Sequence, residues 1–222
     1  MAHQHHQEAN MGSQDTFQSA LSSNKAWVEH LTHQNPTLLP TLAQGQKPSI
    51  LWLGCSDSRV PETTVLGLQP GDVFTTRNIA NIIHPGDLSA AAVVEYAVAN
   101  VGVAHVVLCG HTGCGGVNAA LGNKKIGVID TWLLPLRELR AKFAGEWAGL
   151  SAEERAGRLV EENVRRGVMV LRGNPNVIAA VRERGVVVHG CVYDVKTGLV
   201  RELDCPVAEG EEKAMVEAFA TA

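Results

Sequence analysis

The chain has 222 residues, of which 45% are hydrophobic and 19% charged, and its formal net charge is −4. That length carries one well-buried core or two small ones, and the apolar content excludes a disordered chain. A weakly acidic sequence without basic runs argues against nucleic acid and against a membrane surface as partners.

Residues 1–16 read as a polar, disordered tail in which His3, His5 and His6 lie close together. The first 24 residues contain no apolar run and no Lys or Arg, so neither a secretory signal nor a transit peptide is expected. No segment approaches the length of a membrane span. The five cysteines, Cys55, Cys109, Cys114, Cys191 and Cys205, are odd in number and widely spaced. That pattern is no disulfide framework, and the expected location is the reducing cytoplasm.

From Phe17 to His33, the residues Phe17, Leu21, Trp27, Val28 and Leu31 recur at helical spacing until Pro36 stops the pattern. "PTLLPTLAQGQKP" reads as a broken helix or loop. Apolar, β-branched strands follow at 49–54, 72–77, 104–110 and 186–195, and "KTG" turns the last into 199–204 as an antiparallel hairpin. Between them lie helical patterns. "DLSAAAVVEYAVANVG" opens on a capping residue and closes on glycine, and Pro135 implies a break or a helix start within "IDTWLLPLRELRAKFAG". Ser151 and Glu154 form a capping box ahead of another helix, "NPNVIAAVRERG" follows, and a last helix begins near Glu209. The alternation predicts an α/β fold: a mainly parallel central sheet with an antiparallel edge strand, flanked by helices. No internal repeat is visible. His105 and His189, at or within strands, read as satisfied core histidines. Cys109 and Cys191 read as inert core thiols.

Parallel sheets bind ligands at the carboxyl ends of their strands. "AHVVLCG" leads into His111 and Cys114, and "SILWLG" leads into "CSDSR". Cys55, His111 and Cys114 together make a Cys₂His set. No fourth cysteine or histidine stands in a comparable turn, and a set of three leaves a coordination position open, as catalytic sites do. Two thiolates and an imidazole favour zinc over magnesium or calcium. Asp57 and Arg59, two apart in the first turn, read either as a solvated ion pair or as a dyad that orients the attacking water; Asp57 also reads as a ligand for the open position.

"CSDSR", "RNIAN" and "CGHTGCGG" together closely resemble the β-class carbonic anhydrases, over roughly residues 17–205, with "RNIAN" nearest to fungal members. The resemblance implies zinc on Cys55, His111 and Cys114, Asp57 and Arg59 as the catalytic dyad, and hydration of carbon dioxide to bicarbonate and a proton by a zinc-activated water. It implies a single domain over 17–222: an N-terminal helical arm at 17–45 that embraces a partner, a core at 46–205, and a C-terminal helix at 206–222. A dimer, or a dimer of dimers, is implied with it, and Gln46 maps onto a substrate-binding glutamine supplied by the neighbouring subunit. In a bicarbonate-regulated subclass, residues matching Trp52, Arg77 and Tyr193, with Val60 after the arginine, form a second bicarbonate pocket. Bicarbonate there favours a closed form with the aspartate on zinc. The charge that two thiolates donate predicts an alkaline working range. His84, in "IIHPGD", reads as a surface residue, and no proton shuttle is evident.

Three rivals stand beside this reading. One is a metal-free redox or sulfur-transfer enzyme with Cys55 as thiolate nucleophile. Another is a zinc module without catalysis. The third is a hydrolase of carbon disulfide or carbonyl sulfide on the same fold.

Overall fold

The computed structural model describes residues 13–207, together with Gly210 and Glu217. Of the tail expected over 1–16, residues 1–12 lie outside the described residues, while 13–16 are helical rather than disordered, and most of the helix expected from about Glu209 also lies outside the described residues. The chain forms two compact units that divide between Gln46 and Lys47.

The first unit is helical. α1 spans Ser13–Gln34 and α2 spans Leu38–Leu42. Along α1, Phe17, Leu21 and Trp27 expose 63%, 44% and 44% of their surface, while Val28 and Leu31 are half-buried.

The second unit is built on a five-stranded sheet. Its strands are β1 (Ile50–Cys55), β2 (Val73–Asn78), β3 (His105–His111), β4 (Val187–Tyr193) and β5 (Val200–Glu202). The order is β2-β1-β3-β4-β5, with every pair parallel except β4 and β5. This is the expected parallel sheet with one antiparallel edge. β5 is shorter than the run 199–204, because Leu199 serves the turn, where its carbonyl accepts from Asp194 N–H.

The helices of this unit are α3 (Glu62–Val65), α4 (Leu88–Glu95), α5 (Gly115–Leu121), α6 (Ile129–Trp132), α7 (Leu134–Lys142), α8 (Ala152–Arg172) and α9 (Pro175–Arg184). Their boundaries follow local chemistry. Asp87 caps α4 by accepting from Ser89 N–H, and α4 runs on into a π-helical stretch, Tyr96–Val101. Pro135 lies in the first turn of α7 and separates it from α6. Ser151 and Glu154 form the reciprocal box at the start of α8, and the Asn174 side chain caps α9 ahead of Pro175.

Alternation along the strands gives the sheet two unlike faces. Leu51, Leu53, Val106, Leu108, Val188 and Val192 lie on one face, and Val160, Val164, Val168 and Leu171 of α8 join them in the main core. The other face carries Trp52, Cys109, Cys191 and Tyr193, which form a second buried cluster with Val60. Cys109 and Cys191 are core thiols as expected. Burial pushes Cys109 far above the usual thiol range and Cys191 up to about 11.

Candidate active site

The carboxyl ends of β1 and β3 are adjacent, so parallel pairing brings together two turns that lie more than fifty residues apart in sequence. Cys55 is the last residue of β1, His111 is the last of β3, and Cys114 caps the start of α5. All three are buried, and their ligand atoms lie within 4.8 Å of one another. The turn between His111 and Cys114 depends on Gly113, whose φ of 67° is open to glycine at no cost.

This cluster meets the requirements of a metal site. Cys55 Sγ and Cys114 Sγ are 4.0 Å apart. A tetrahedral ion with metal–sulfur bonds of about 2.3 Å holds two sulfurs about 3.8 Å apart. His111 Nδ1 bonds the Thr112 carbonyl at 3.0 Å, which fixes the proton on Nδ1 and leaves a lone pair on Nε2. His111 Nε2 is buried and has no hydrogen-bond partner among the described residues, the state expected of a ligand atom. The sulfurs tell the same story. Hydrogen bonding from Cys114 drives Cys55 well below the ordinary thiol range against the opposing effect of burial, while Cys114 is pushed up by the same contact. Cys55 and Cys114 thus share one proton across the gap, and a cation placed between the sulfurs would take that proton's position.

Cys55 has a further partner, as the Ala80 N–H points at its sulfur from 3.3 Å. Ala80 achieves this in a left-handed conformation, φ 60°, followed by Asn81 at φ 45°. A non-glycine residue in that region costs on the order of 1–3 kcal/mol and persists only where its surroundings enforce it. Here Asn163 of α8 donates to the Ala80 carbonyl at 2.8 Å, and Trp132 of α6 donates to the Ile79 carbonyl, also at 2.8 Å. "RNIAN" is therefore a strained loop held against the Cys55 sulfur. Asn163 lies in none of the motifs that mark the other site residues. Its signal is present all the same: a polar residue within the buried stripe Leu159, Val160, Val164, Val168 of α8.

Asp57 lies beside the cluster, with Oδ2 3.8 Å from His111 Nε2. Arg59 grips it on both carboxylate oxygens: Nε and the backbone N–H donate to Oδ1 at 2.9 and 3.0 Å, and Nη2 donates to Oδ2 at 2.8 Å. The same Nη2 donates to the Gly113 carbonyl at 3.1 Å, which ties the dyad to the turn that carries Cys114. The Arg59 guanidinium holds the Asp57 carboxyl well below the usual carboxylate range. The carboxylate is engaged with arginine rather than turned onto the ligand atoms.

Trp52, Arg77 and Tyr193 lie on one face of the sheet, opposite α8. Arg77 is not a surface charge. Its Nε donates to the Cys55 carbonyl at 2.7 Å and its Nη2 to the Asp57 carbonyl, so it clamps the turn between Cys55 and Asp57. Trp52 is 1% exposed, and its indole N–H has no partner among the described residues. That N–H lies over Gly54, where an added Cβ would stand 2.4 Å from Nε1. Tyr193 packs in the same buried cluster as Trp52 and Val60. Gln46 is an exposed residue of the first unit. His84 is exposed in its loop, with Nδ1 accepting from Gly86 N–H.

His105 and His189 differ from expectation. They are satisfied, but by each other and by Glu202, and they lie at the surface rather than in the core. Their strand positions face the side of the sheet that α8 does not cover.

The family model for carbonic anhydrase matches residues 50–200. A carbonic anhydrase of Emericella nidulans is 39% identical over 193 residues, covering 86% of this chain and 85% of its own length. One from Candida albicans is 38% identical over 207 residues, covering 91% of this chain and 73% of its own. Among solved structures, the β-carbonic anhydrase CafA of Aspergillus fumigatus superposes with a TM-score of 0.91 at 54% identity, covering 93% of this chain and all of that one. A structure described as one of two tetrameric β-carbonic anhydrases of Sordaria macrospora gives 0.85 at 53% identity over 87% of this chain and 100% of that one. Whole-chain likeness and a buried Cys₂His cluster at the strand ends agree, and the chain belongs to the carbonic anhydrase family, in its β class and among fungal members.

Proposed function

We propose that this protein hydrates carbon dioxide reversibly to bicarbonate and a proton, with zinc held by Cys55, His111 and Cys114. The observation that carries the proposal is the buried, mutually ligand-spaced Cys₂His cluster beside a carboxylate locked to an arginine. Zinc bound there supplies a Lewis acid that makes water nucleophilic near neutral pH.

The rest is done by the chain. Asp57 remains an anion, so Oδ2 accepts a hydrogen bond from the attacking water and aims its lone pair at the substrate carbon. Arg59 keeps Asp57 in that orientation and, through Gly113, in register with the ligand turn. The His111 tautomer is set by Thr112, and the charge on Cys55 Sγ is eased by the Ala80 N–H. The water oxygen bonds to the carbon, one C=O electron pair moves onto oxygen, and the water's proton leaves to buffer. We place the enzyme in the cytoplasm, supported by five free thiols, and no helix among the described residues is long and apolar enough to cross a membrane. We also propose a homo-oligomer, a dimer or a dimer of dimers with residues 17–45 as its arm, in which Gln46 serves the partner's substrate site. The tetrameric relatives support it.

A second reading concerns regulation by bicarbonate at Trp52, Arg77 and Tyr193. What favours it is the orphaned, buried Trp52 N–H and the Arg77 Nη1, which has no protein partner among the described residues. Asp57 leaving Arg59 for the metal would close the site.

One experiment addresses both readings: zinc analysis of the purified protein, with stopped-flow hydration rates across pH, with and without bicarbonate. Stoichiometric zinc and rapid hydration are expected. A metal-free protein with a freely titrating Cys55 thiol and no hydration would overturn the function. A pH profile that bicarbonate does not steepen would overturn the regulation alone.

A further inference from the structure

We infer that His105 and His189 form a second metal site, for a divalent transition ion that prefers imidazole, on the open face of the sheet. His105 opens β3, His189 lies within β4, and Glu202 ends β5. The register pairs Val107 with His189 and Cys191 with Glu202, which places the three side chains diagonally along one face. Diagonal neighbours on one face are within reach of long side chains.

The geometry is that of a ligand pair with its supporting carboxylate. Glu202 Oε1 lies 2.6 Å from His189 Nδ1, so the carboxylate takes the Nδ1 proton's hydrogen bond and leaves a lone pair on Nε2. That Nε2 lies 3.1 Å from His105 Nδ1, with the ring centroids 5.2 Å apart. Two metal–nitrogen bonds of about 2.1 Å meeting at 90–109° hold their nitrogens about 3.0–3.4 Å apart. The observed spacing falls inside that range. An ion entering between the nitrogens takes the place of one hydrogen. For His105 to ligate through Nδ1, its ring proton sits on Nε2. The exposure of His105 leaves the remaining coordination positions to water. Neutral imidazoles select zinc, copper or nickel over magnesium and calcium, and the Glu202 carboxylate adds a negative charge.

This site is separate from the Cys₂His cluster. His105 and His111 occupy opposite ends of one strand, and six residues of extended chain span about 20 Å.

Nickel is the suitable probe, because copper would oxidise the partly exposed Cys205. The test uses the full-length, zinc-loaded protein with His3, His5 and His6 changed to Gln, so that the tail offers no imidazoles. Equilibrium dialysis should find one nickel per chain with the zinc content unchanged. Proton spectra should broaden the ring signals of His105 and His189. His105→Gln and His189→Gln should each weaken binding at least tenfold. Glu202→Gln should weaken it about tenfold by freeing the His189 tautomer. Carbon dioxide hydration should stay at the parent rate in His105→Gln, which also shows that the variant folds. Equal nickel affinity in His105→Gln would overturn the site. So would no nickel bound to the zinc-loaded parent, or zinc released in proportion to nickel taken up.

Discussion

Asp57 and Arg59 were ambiguous in sequence, because two opposite charges two residues apart describe any exposed ion pair, most of which contribute under about 1 kcal/mol. The geometry is more specific than a single contact: three bonds from Arg59 reach both carboxylate oxygens, and the pair is anchored to Gly113, which supports the proposed dyad. Asp57→Asn preserves the shape but replaces an acceptor oxygen with a donor and removes the charge that Arg59 binds. The zinc-loaded variant is expected to lose ~100-fold or more in hydration rate, the range for an oriented catalytic group. Stopped-flow rates normalised to bound zinc check this; an undiminished rate would remove Asp57 from the mechanism. Residues such as Cys55, His111 and Cys114 were legible because their chemistry is in their side chains. Ala80 and Thr112 were not. They act through a backbone N–H and a backbone carbonyl, which every residue has, and only the fold decides where those point.

At the scale of elements, the strands were legible because β-branched apolar runs bounded by turns are a strong signal, and the caps of α8 and α9 stand in the sequence as Ser151, Glu154 and Asn174. The approach of α8 to the sheet was not legible, because it depends on what is missing from glycines. At Gly167 an added Cβ would lie 2.3 Å from Leu108 Cδ2, in a part of the core where Leu108 is fully buried. Helix propensity alone would favour Gly167→Ala by up to about 1 kcal/mol. Overpacking a core costs about 1–3 kcal/mol and opposes that gain. The clash is with a side chain that has nowhere to retreat, so the cost wins. Gly167→Ala is expected to lower the thermal midpoint by roughly 2–4 °C for each kcal/mol of net loss. Because α8 also carries Asn163, the same change should loosen the Ala80 loop and weaken zinc retention against a chelator. A midpoint at or above that of the parent would show that α8 has room at this crossing.

For the whole molecule, the question is what covers α1. Phe17, Leu21 and Trp27 are large apolar side chains left substantially exposed on one helix, and contiguous exposed apolar surface marks an interaction site. Fully burying such a side chain is worth about 1.5–3 kcal/mol. These three are already about half covered, so three on each of two arms contribute about 5–9 kcal/mol to a symmetric pair, of the same order as an association cost estimated at 4–15 kcal/mol. The arms are thus large enough to decide whether copies stay together, though the sequence alone could not say whether the stripe faced its own subunit or another. Deleting residues 1–35 removes α1 and leaves Gln46 and the whole sheet unit in place. The truncated protein should sediment as a smaller species than the full chain at the same concentration, and it should retain zinc, since every proposed ligand lies beyond the cut. Sedimentation velocity with zinc analysis of the same sample reads both. An unchanged oligomer with full zinc would assign association to the sheet unit and leave the arm without a role in assembly. A smaller species that keeps its zinc but loses hydration would agree with Gln46 acting across the subunit boundary.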